Sequence, residues 1–415
     1  MKIIVYPHDL ELGGSQLNAI EIGAAVRDLG HDVIVFGRRG ALNSRIDDLG
    51  LEFIEAPPPG RRPSSTTARA LVELCRERGV DIIHGYEWPP TLDGVFAARM
   101  GARVAIVSTV MSMSVPPFIP HSVPLVVGTE QIASAERAAR RRRTEVLEPP
   151  VDLSFNDVHA SVDVDAFRAT YRLADDRLNV VSVARMAHEL KLEGTLTAIS
   201  AIGELSAEAP VRLVLVGDGP ARDVVEARAA EVNAQYGKGT VVLTGRLDDP
   251  RPAYAAADIA LGMGGSALRA LAYGAPLIVQ GEHGFWRTLT EHSAEGFLWT
   301  GWYGIDGGAE YGRSQLRSEL IPLLNDPARR MELGAFGLQL VRDRFSLTRA
   351  ADVQMDIYRR AVERPPRWGV LSEAIALGRY TSYYAQKRMR RAMGTERTDD
   401  FNSRPVALQN RGIVR

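Results

Sequence analysis

The chain has 415 residues, which is long for a single hydrophobic core and typical of two domains. Its 50 Lys and Arg residues balance 51 Asp and Glu residues, so no overall field favours a nucleic acid as partner. The single cysteine, Cys75, excludes an internal disulfide framework and indicates a reducing, cytoplasmic compartment. No apolar run reaches the ~18 residues of a membrane-spanning helix, and the eight histidines show no metal-ligand spacing.

Apolar strands alternate with helical patterns over the first part of the chain. A first strand is predicted at 3–6 and is followed by a Gly-rich turn and a helix. Further strands are predicted at 32–36, 51–54, 80–84, 103–107 and 125–127. Because such alternation produces a parallel sheet with helices on both faces, we predict a doubly wound, Rossmann-like α/β domain over residues 1–152.

The pattern breaks at Glu148–Asp152, where an Asp-rich stretch begins. We predict a linker over 153–176 and a second Rossmann-like domain over 177–345. Its strands are predicted at 178–184, 212–216, 240–243, 259–261 and 277–279. In such sheets ligands bind beyond the carboxyl ends of the strands, so a shared ligand is expected in a cleft between the domains.

Helices are predicted over 346–394, and a disordered tail over 395–415. The last helix carries Lys387, Arg388, Arg390 and Arg391 beside tyrosines and methionines, which allows two interpretations. The favoured one is a helix docked on the first domain with a solvated basic face. The alternative is a weak contact of this basic helix with a membrane surface.

A Gly-rich turn connects the strand ending at Leu261 to a helix, and this arrangement predicts an anion site. The first N–H groups of a helix lack helical partners. Gly264 and Gly265 have no Cβ to keep a phosphate away from the backbone, and Ser266 follows them. The alternative is a turn that only joins strand to helix, since one Gly-rich turn is weak evidence.

Cations and glycines follow other predicted strands as well. Arg185 and Lys191 suit a diphosphate, the arginine as a fork and the lysine as a point charge, although each alone is typical of a protein surface. Glycines at strand ends allow a base or ribose to lie close to the backbone. The other candidates for contacting the ligand are Gly217, Gly219 and Arg246 in the second domain and Gly13 and Gly14 in the first.

In order and spacing, these motifs resemble those of the GT-B glycosyltransferases, in the large retaining group that uses nucleotide-sugar donors. The resemblance runs from Met1 to about Tyr358 and implies two Rossmann-like domains that face a cleft. It also implies retention of the anomeric configuration, and no metal or other cofactor besides the nucleotide sugar. The matching motifs are Gly13-Gly14, Pro150-Val151-Asp152, Arg185 with Lys191–Gly194, Val214–Pro220, Gly245-Arg246, Tyr254–Asp258, Ala270–Pro276 and Arg344–Ser346.

The chain departs from the family pattern around the Gly-rich turn. Members usually carry two glutamates eight positions apart, one for the donor sugar and one for the ribose. Here these positions hold Leu261 and Arg269, which cannot accept hydrogen bonds from hydroxyl groups. We therefore take Glu282 and His283 as candidates for the donor sugar. The alternative for Glu282 is a carboxylate that complements a helix dipole.

Arg269 has two interpretations of its own: it adds positive charge beside the ligand, or it pairs with a nearby carboxylate. On the acceptor side, a family motif of the form Thr-x-His is replaced by Thr109-Val110-Met111. The apolar loop over 111–120 either binds an apolar acceptor or packs at the domain interface. Candidates for contacting the acceptor follow the first and fourth strands: His8, Asp9, His84, Tyr86, Glu87 and Trp88.

His84 resembles a family position near the acceptor; otherwise a lone histidine at a strand end is a structural hydrogen-bonding group. The predicted function is metal-independent sugar transfer from a nucleoside-diphosphate sugar to an unidentified acceptor. Arg185, Lys191 and the amides of 264–266 would stabilise the departing diphosphate, and His84 and Glu282 complete the candidate catalytic set. The alternatives are a non-catalytic nucleotide-sugar-binding protein, which the missing glutamates favour, and a related GT-B epimerase.

Overall fold

The computed structural model describes residues 1–58, 60, 62–139, 141, 143–157, 159, 162–174, 176–364, 370–394, 401–402 and 405–406. The contacts within the chain divide it into two compact units. Unit 1 comprises Met1–Pro150 with Leu347–Arg415, and unit 2 comprises Val151–Ser346. Among the described residues, no helix combines the length and apolarity needed to cross a membrane.

The described part of unit 1 forms a sheet of seven parallel strands in the order β3-β2-β1-β4-β5-β6-β7. The last strand, β7, was not among the predicted ones. In chain order the elements are β1 Lys2–Tyr6, α1 Gly14–Asp28, β2 Asp32–Gly37, α2 Asn43–Asp48, β3 Glu52–Glu55, α3 Ser65–Arg78, β4 Ile82–Tyr86, α4 Trp88–Arg99, β5 Ala105–Val110, β6 Leu125–Val127, α5 Glu130–Ala138 and β7 Thr144–Val146.

Unit 2 has a sheet of six strands in the order β10-β9-β8-β11-β12-β13 within its described residues, and only β13 is antiparallel. That edge strand was not predicted either. The elements are α6 Val164–Thr170, β8 Leu178–Val183, α7 Leu192–Ser206, β9 Val211–Val216, α8 Arg222–Tyr236, β10 Val241–Gly245, α9 Arg251–Ala255, β11 Ile259–Gly262, α10 Gly265–Ala272, β12 Leu277–Gln280, β13 Trp286–Thr288, α11 Glu291–Thr300, a 3₁₀ turn Ala309–Tyr311, α12 Gly312–Asn325 and α13 Pro327–Arg344.

The central strands are buried on both faces, as expected for a doubly wound parallel sheet. In β1, Ile3 and Val5 point into the core beneath α1, whereas Ile4 and Tyr6 point into the core beneath α3. This alternation follows from the two-residue period of a strand. The predicted doubly wound α/β class is thus confirmed for each unit.

The segment 153–176 is part of unit 2, which corrects its prediction as a linker. Asp163 accepts a hydrogen bond from the N–H of Ala166 at 2.8 Å and thereby caps α6. Phe167 and Leu173 then pack against Val181 in the core. The aspartate that made this stretch polar in the sequence is a helix cap, and polarity alone does not reveal the apolar face behind it.

After unit 2, the chain returns to unit 1 with α14 Leu347–Glu363 and α15 Val370–Ala392. Met355 and Tyr358 of α14 join the core beneath α1. Tyr380 of α15 lies against the rings of Trp88 and Phe118, with centroids 6.1 Å and 5.3 Å away. The basic helix is therefore docked on unit 1, which is the interpretation favoured from the sequence.

The predicted disordered tail falls mostly on 395–400, 403–404 and 407–415, which lie outside the described residues. The remaining four residues of the tail belong to unit 1. Asn402 Oδ1 accepts a hydrogen bond from the N–H of Met113, and the N–H of Val406 donates to the Met113 carbonyl, both at 3.0 Å. At these positions the chain packs on the loop after β5 and is not a free tail.

Candidate active site

In the sheet of unit 2, β8 and β11 are parallel neighbours, and the chain adds β9 and β10 on one side of this pair and β12 and β13 on the other. In doubly wound sheets this switch point opens a crevice at the carboxyl ends of the strands, where ligands bind. Arg185 and Lys191 lie on the connection from β8 to α7, and the glycine turn lies between β11 and α10. The topology thus brings the predicted cations and the predicted anion turn to the same edge of one sheet.

The glycine turn offers two backbone donors rather than the three predicted. Gly264 adopts a φ of 55°, and its N–H donates to the carbonyl of Trp302 at 3.0 Å. The hydroxyl of Ser266 donates back to the Met263 carbonyl at 3.0 Å. The N–H groups of Gly265 and Ser266 have no acceptor among the described residues, so these two amides remain available to an anion.

Lys191 stands at the N-terminal end of α7, directly after Leu190, whose φ is 63°. The side chain is half-buried, and burial lowers the pKa of the ammonium to about 8. Its backbone carbonyl is held by the Gln280 amide at 3.2 Å and the Thr195 hydroxyl at 3.0 Å. Within the described part of the chain, the ammonium itself contacts no carboxylate, which is the environment expected of a group that meets a ligand anion.

Arg185 is exposed, and its guanidinium forms no hydrogen bond or ion pair with another described residue. Gly217 and Gly219 were predicted to contact the ligand, but the structure gives another reason for glycine at these two positions. A Cβ at either position would collide with the backbone carbonyl of Ala184 or of Met186, so these glycines allow the loops after β8 and β9 to meet. Arg246 is exposed, with its Nη2 3.8 Å from the carboxylate of Asp248.

Glu282 and His283 lie in the loop between β12 and β13, so no helix begins there and the helix-dipole alternative for Glu282 is wrong. The carboxylate of Glu282 accepts a hydrogen bond from the hydroxyl of Tyr303. The carboxylate of Glu193 accepts from the N–H groups of His283 at 3.1 Å and Gly284 at 2.7 Å. Glu193 and Tyr303 thus position the candidate sugar contacts, and nothing in their sequence spacing pointed to this role.

The two positions that usually hold glutamates behave differently from each other. Leu261 is 2% exposed and belongs to the core, so it presents no group to a ligand. Arg269 is half-buried, and its Nη1 lies 3.4 Å from where a Cβ on Gly265 would be. Burial raises the pKa of Tyr254 to about 12, and the positive charge of Arg269 opposes that rise. A cation therefore lies beside the first turn of α10, where the family pattern has a carboxylate.

Unit 1 has the same switch point, between β1 and β4. Glu87 lies there at the start of α4 with a φ of 69°, and it is 7% exposed. Its carboxylate accepts from Ser15 Oγ at 3.2 Å, Met111 N–H at 2.9 Å and Ser112 Oγ at 3.0 Å, while burial raises its pKa. Glu87 therefore ties the start of α4 to the first turn of α1 and to the loop after β5. This predicted acceptor contact thus has a structural role.

The residues after β1 form a second polar network. His8 Nε2 lies 3.1 Å from Asp9, and the Gln16 amide donates to Asp9 at 2.7 Å. Burial alone would raise the pKa of Asp9, but hydrogen bonds from His8, Gln16 and the N–H of Glu11 lower this pKa to about 2. A Cβ on Gly13 would collide with Gln16, whereas nothing lies within 4 Å of one on Gly14, so Gly13 makes room for this network.

The structure contradicts the catalytic prediction for His84. The ring is fully buried, with Nδ1 2.7 Å from the hydroxyl of Tyr358 and Nε2 2.6 Å from that of Thr109. Burial lowers its pKa to about 3, so the ring is neutral and joins α14 to the sheet. Tyr86 is likewise 1% exposed in the core, and the half-buried Trp88 packs its ring against that of Phe118, with centroids 5.4 Å apart. Tyr86 is therefore not presented to an acceptor, and Trp88 takes part in the packing of α15 on unit 1.

The described residues contain no group of three or more His, Cys, Asp or Glu side chains arranged to hold a metal ion. The single Cys75 is buried, and burial raises the pKa of its thiol to about 12. A thiolate at this position is therefore not available as a nucleophile near neutral pH.

The architecture of the chain is that of solved glycosyltransferases. A glycosyltransferase from Rickettsia africae superposes with a TM-score of 0.69 at 16% identity, covering 87% of this chain and 99% of its own. Anabaena HepE in complex with UDP and glucose superposes with a TM-score of 0.67 at 16% identity, covering 86% and 98%. Likenesses at this identity establish a shared fold, the GT-B fold.

Sequence families add to the fold. Residues 177–301 match the family model described as "Glycosyl transferases group 1", and residues 13–151 match the "Glycosyl transferase 4-like domain". Together these segments make up more than half of the chain, which belongs to the group 1 glycosyltransferases. The D-inositol 3-phosphate glycosyltransferase of Thermobispora bispora is 26% identical, over 86% of this chain and 92% of that protein.

Proposed function

We propose that this transferase moves a sugar from a nucleoside-diphosphate sugar to an acceptor hydroxyl, and that unit 2 binds the donor. The observation that carries the proposal is the switch point of unit 2. There, a half-buried ammonium and an exposed guanidinium without a described partner share a sheet edge with two unpaired backbone N–H groups. The UDP bound by Anabaena HepE, which has the same fold, supports a nucleotide donor.

In the proposed reaction, the bond between the sugar C1 and the β-phosphate oxygen breaks and a bond from C1 to the acceptor oxygen forms. Negative charge develops on the departing diphosphate. Lys191, Arg185 and the amides of Gly265 and Ser266 offset this charge, and charge stabilisation of this kind is the main contribution such a site makes. We propose that the acceptor proton passes to the leaving phosphate oxygen and that the anomeric configuration is retained.

Glu282 and His283 are the proposed contacts to the donor sugar, held by Tyr303 and Glu193. Arg269 occupies the proposed ribose position. Because a guanidinium donates hydrogen bonds and accepts none, we propose that it favours a ligand that carries negative charge there over a ligand that offers only hydroxyl groups. In unit 1 the accessible candidates for the acceptor are His8, Asp9 and the open backbone at Gly14.

We propose that the reaction needs no metal ion, because side-chain cations and backbone amides stand where a metal would otherwise neutralise the diphosphate. We also propose a cytoplasmic location on the grounds of the single cysteine. Fractionation of the native cell, with recovery of the protein outside the cytosolic fraction, would contradict this location.

The test is incubation of the full chain with a panel of nucleotide sugars and detection of released nucleoside diphosphate. Release with one donor, and its loss in Lys191→Ala, is the expected result. Nuclear magnetic resonance of the product then gives the anomeric configuration, and inversion would contradict the proposed retention. Binding of a nucleotide sugar without release would favour the non-catalytic alternative, and conversion of the sugar without transfer would favour an epimerase.

A further inference from the structure

Unit 1 contains a cavity that none of the motifs above explains. It is wide open to solvent, has a volume of about 610 Å³ and lies between the end of β3, the residue after β2 and the first three turns of α3. Its size falls within the range of small-molecule sites, roughly 300–1,000 Å³. Arg38, Arg69, Thr66, Glu55 and Glu73 are its charged and hydroxyl-bearing lining residues.

The position of this cavity is the edge where ligands of doubly wound sheets bind. Arg38 directly follows the last residue of β2, and Glu55 is the last residue of β3. The loop after β2 contacts the loop after β1, since the N–H of Leu42 donates to the carbonyl of Leu10 at 2.8 Å. The cavity therefore lies at the carboxyl edge of the same sheet whose first strand leads to Asp9.

The charges of the cavity do not cancel locally. Both side chains are exposed, and within the part of the chain that the structure describes neither the Arg38 nor the Arg69 guanidinium forms a hydrogen bond or an ion pair. The carboxylate of Glu55 already forms an ion pair with Arg39, at 3.1 Å, and Arg39 does not line the cavity. Two guanidinium groups thus face one remaining carboxylate, that of Glu73. Guanidinium forks match the oxygens of a phosphate group better than any other side chain does.

The helix beside the cavity adds to the positive potential. The side chain of Ser64 caps α3 by accepting from the N–H of Thr67 at 3.2 Å, so Thr66 and Arg69 lie on its first two turns. The N-terminal end of a helix carries the positive end of its dipole. Arg69 therefore projects a full positive charge from a region that is already positive, and a bound anion would relieve this arrangement.

We propose that this cavity, defined by Arg38, Arg69 and Thr66, binds a phosphate group of the acceptor substrate. The proposal rests on the proposed function, because it identifies the acceptor of that reaction as a phosphomonoester. Two sources share this chemistry, a free small molecule and a lipid headgroup. The acceptor is thereby held at the unit 1 sheet edge through its charge, while its hydroxyl remains free for transfer.

The test is a calorimetric titration of the full chain at low salt, first with inorganic phosphate and then with glycerol 3-phosphate. Arg38→Gln and Arg69→Gln should each weaken binding at least about tenfold, since each removes a charge-assisted contact. Arg76→Gln is the matched control, an exposed arginine near the end of α3 that does not line the cavity, and it should leave the affinity within about twofold. Glu73→Gln should change the affinity in the opposite direction and strengthen binding.

The titrations are repeated with saturating UDP, so that phosphate binding in unit 2 is blocked. Wild-type affinity in the Arg38→Gln Arg69→Gln double variant would overturn the proposal, as would the absence of phosphate binding or its loss on adding UDP. If UDP itself does not bind, the proposed donor function fails, but the phosphate titration still tests the cavity. Binding of vesicles that contain phosphatidic acid, without binding of glycerol 3-phosphate, would assign the cavity to a lipid headgroup.

Discussion

The switch points of the two units have the same topology and opposite chemistry. In unit 2, the ammonium of Lys191 and the first amides of α10 have no acceptor among the described residues. In unit 1, the polar groups of Glu87 and His84 are taken up by the unit itself: the glutamate accepts three hydrogen bonds and the histidine joins two hydroxyls.

This difference shows that position at a sheet edge does not by itself make a residue functional. A polar group that the fold satisfies internally holds loops together, whereas one left unsatisfied in a rigid setting is ready for a ligand. In unit 1 the groups that we propose for a ligand lie elsewhere, at the exposed Arg38 and Arg69. The predictions that follow test whether this division between the units is correct.

The largest effect is expected from His84→Ala in unit 1. The change leaves the hydroxyls of Tyr358 and Thr109 without their partner in the core, which should cost about 3 kcal/mol or more of the free energy of unfolding. Urea unfolding at neutral pH measures it. Donor binding by His84→Gln should equal that of the wild type, and a specific loss of donor binding or turnover with unchanged stability would return His84 to the active site.

The pH dependence of stability gives a second readout for His84. Its pKa is about 3 in the folded protein and 6.5 without the fold, so the unfolded chain binds a proton that the folded chain does not. Stability should therefore fall as the pH drops below 6.5, by about 2 kcal/mol at pH 5 from this group. Unfolding at pH 7 and pH 5 should show a shallower loss in His84→Gln than in the wild type; equal losses would contradict a buried neutral ring.

In unit 2, Lys191→Ala should weaken nucleoside diphosphate binding by about tenfold to a hundredfold, because a charge-assisted contact is lost. Arg185→Ala should act in the same direction and less strongly, since its guanidinium is exposed. Calorimetry with UDP and GDP is the measurement, and exposed Lys238→Ala in the same unit is the matched control. Wild-type affinity in both Lys191→Ala and Arg185→Ala would remove unit 2 as the donor site.

The arginine that replaces a family glutamate should have a smaller, salt-dependent effect. If Arg269 adds positive charge beside the ligand, Arg269→Gln weakens nucleoside diphosphate binding by severalfold at low salt, and Arg269→Glu weakens it further. Both effects should shrink at moderate salt, because screening reduces the interaction of partly exposed charges. Binding by Arg269→Glu that equals or exceeds that of the wild type would show that the position still acts as a carboxylate site for the ribose.

The smallest expected effect is that of metal removal. Turnover, once the donor is known, should be unchanged by EDTA, because the diphosphate is offset by Lys191, Arg185 and backbone amides. The control is addition of Mg²⁺ or Mn²⁺ to the chelated protein, which should not raise the rate. Loss of turnover on chelation that either ion restores would mean that the cations of unit 2 are insufficient.

The sequence by itself determined the fold class and the position of the Gly-rich turn between β11 and α10. Strands and helices can be told apart in the sequence because their apolar residues recur with different periods, and their alternation specifies doubly wound sheets. Gly264–Ser266 stands between a strand and a helix, and the first N–H groups of a helix have no partner within it. The short edge strands β7 and β13 escaped prediction, since three residues carry too little periodicity. The segment 153–176 was mistaken for a linker because its polar residues, among them the capping Asp163, are more conspicuous than Phe167, which anchors it in the core.

Only the tertiary structure decided which polar residues remain available. His84 and Lys191 are equally plausible from the sequence, as a polar residue at a strand end and a cation shortly before a helix. Tyr358, 274 residues away in the chain, makes the first structural, while nothing described pairs with the second. The accessibility of a titratable group depends on partners that are distant in sequence, and local patterns contain no information about them.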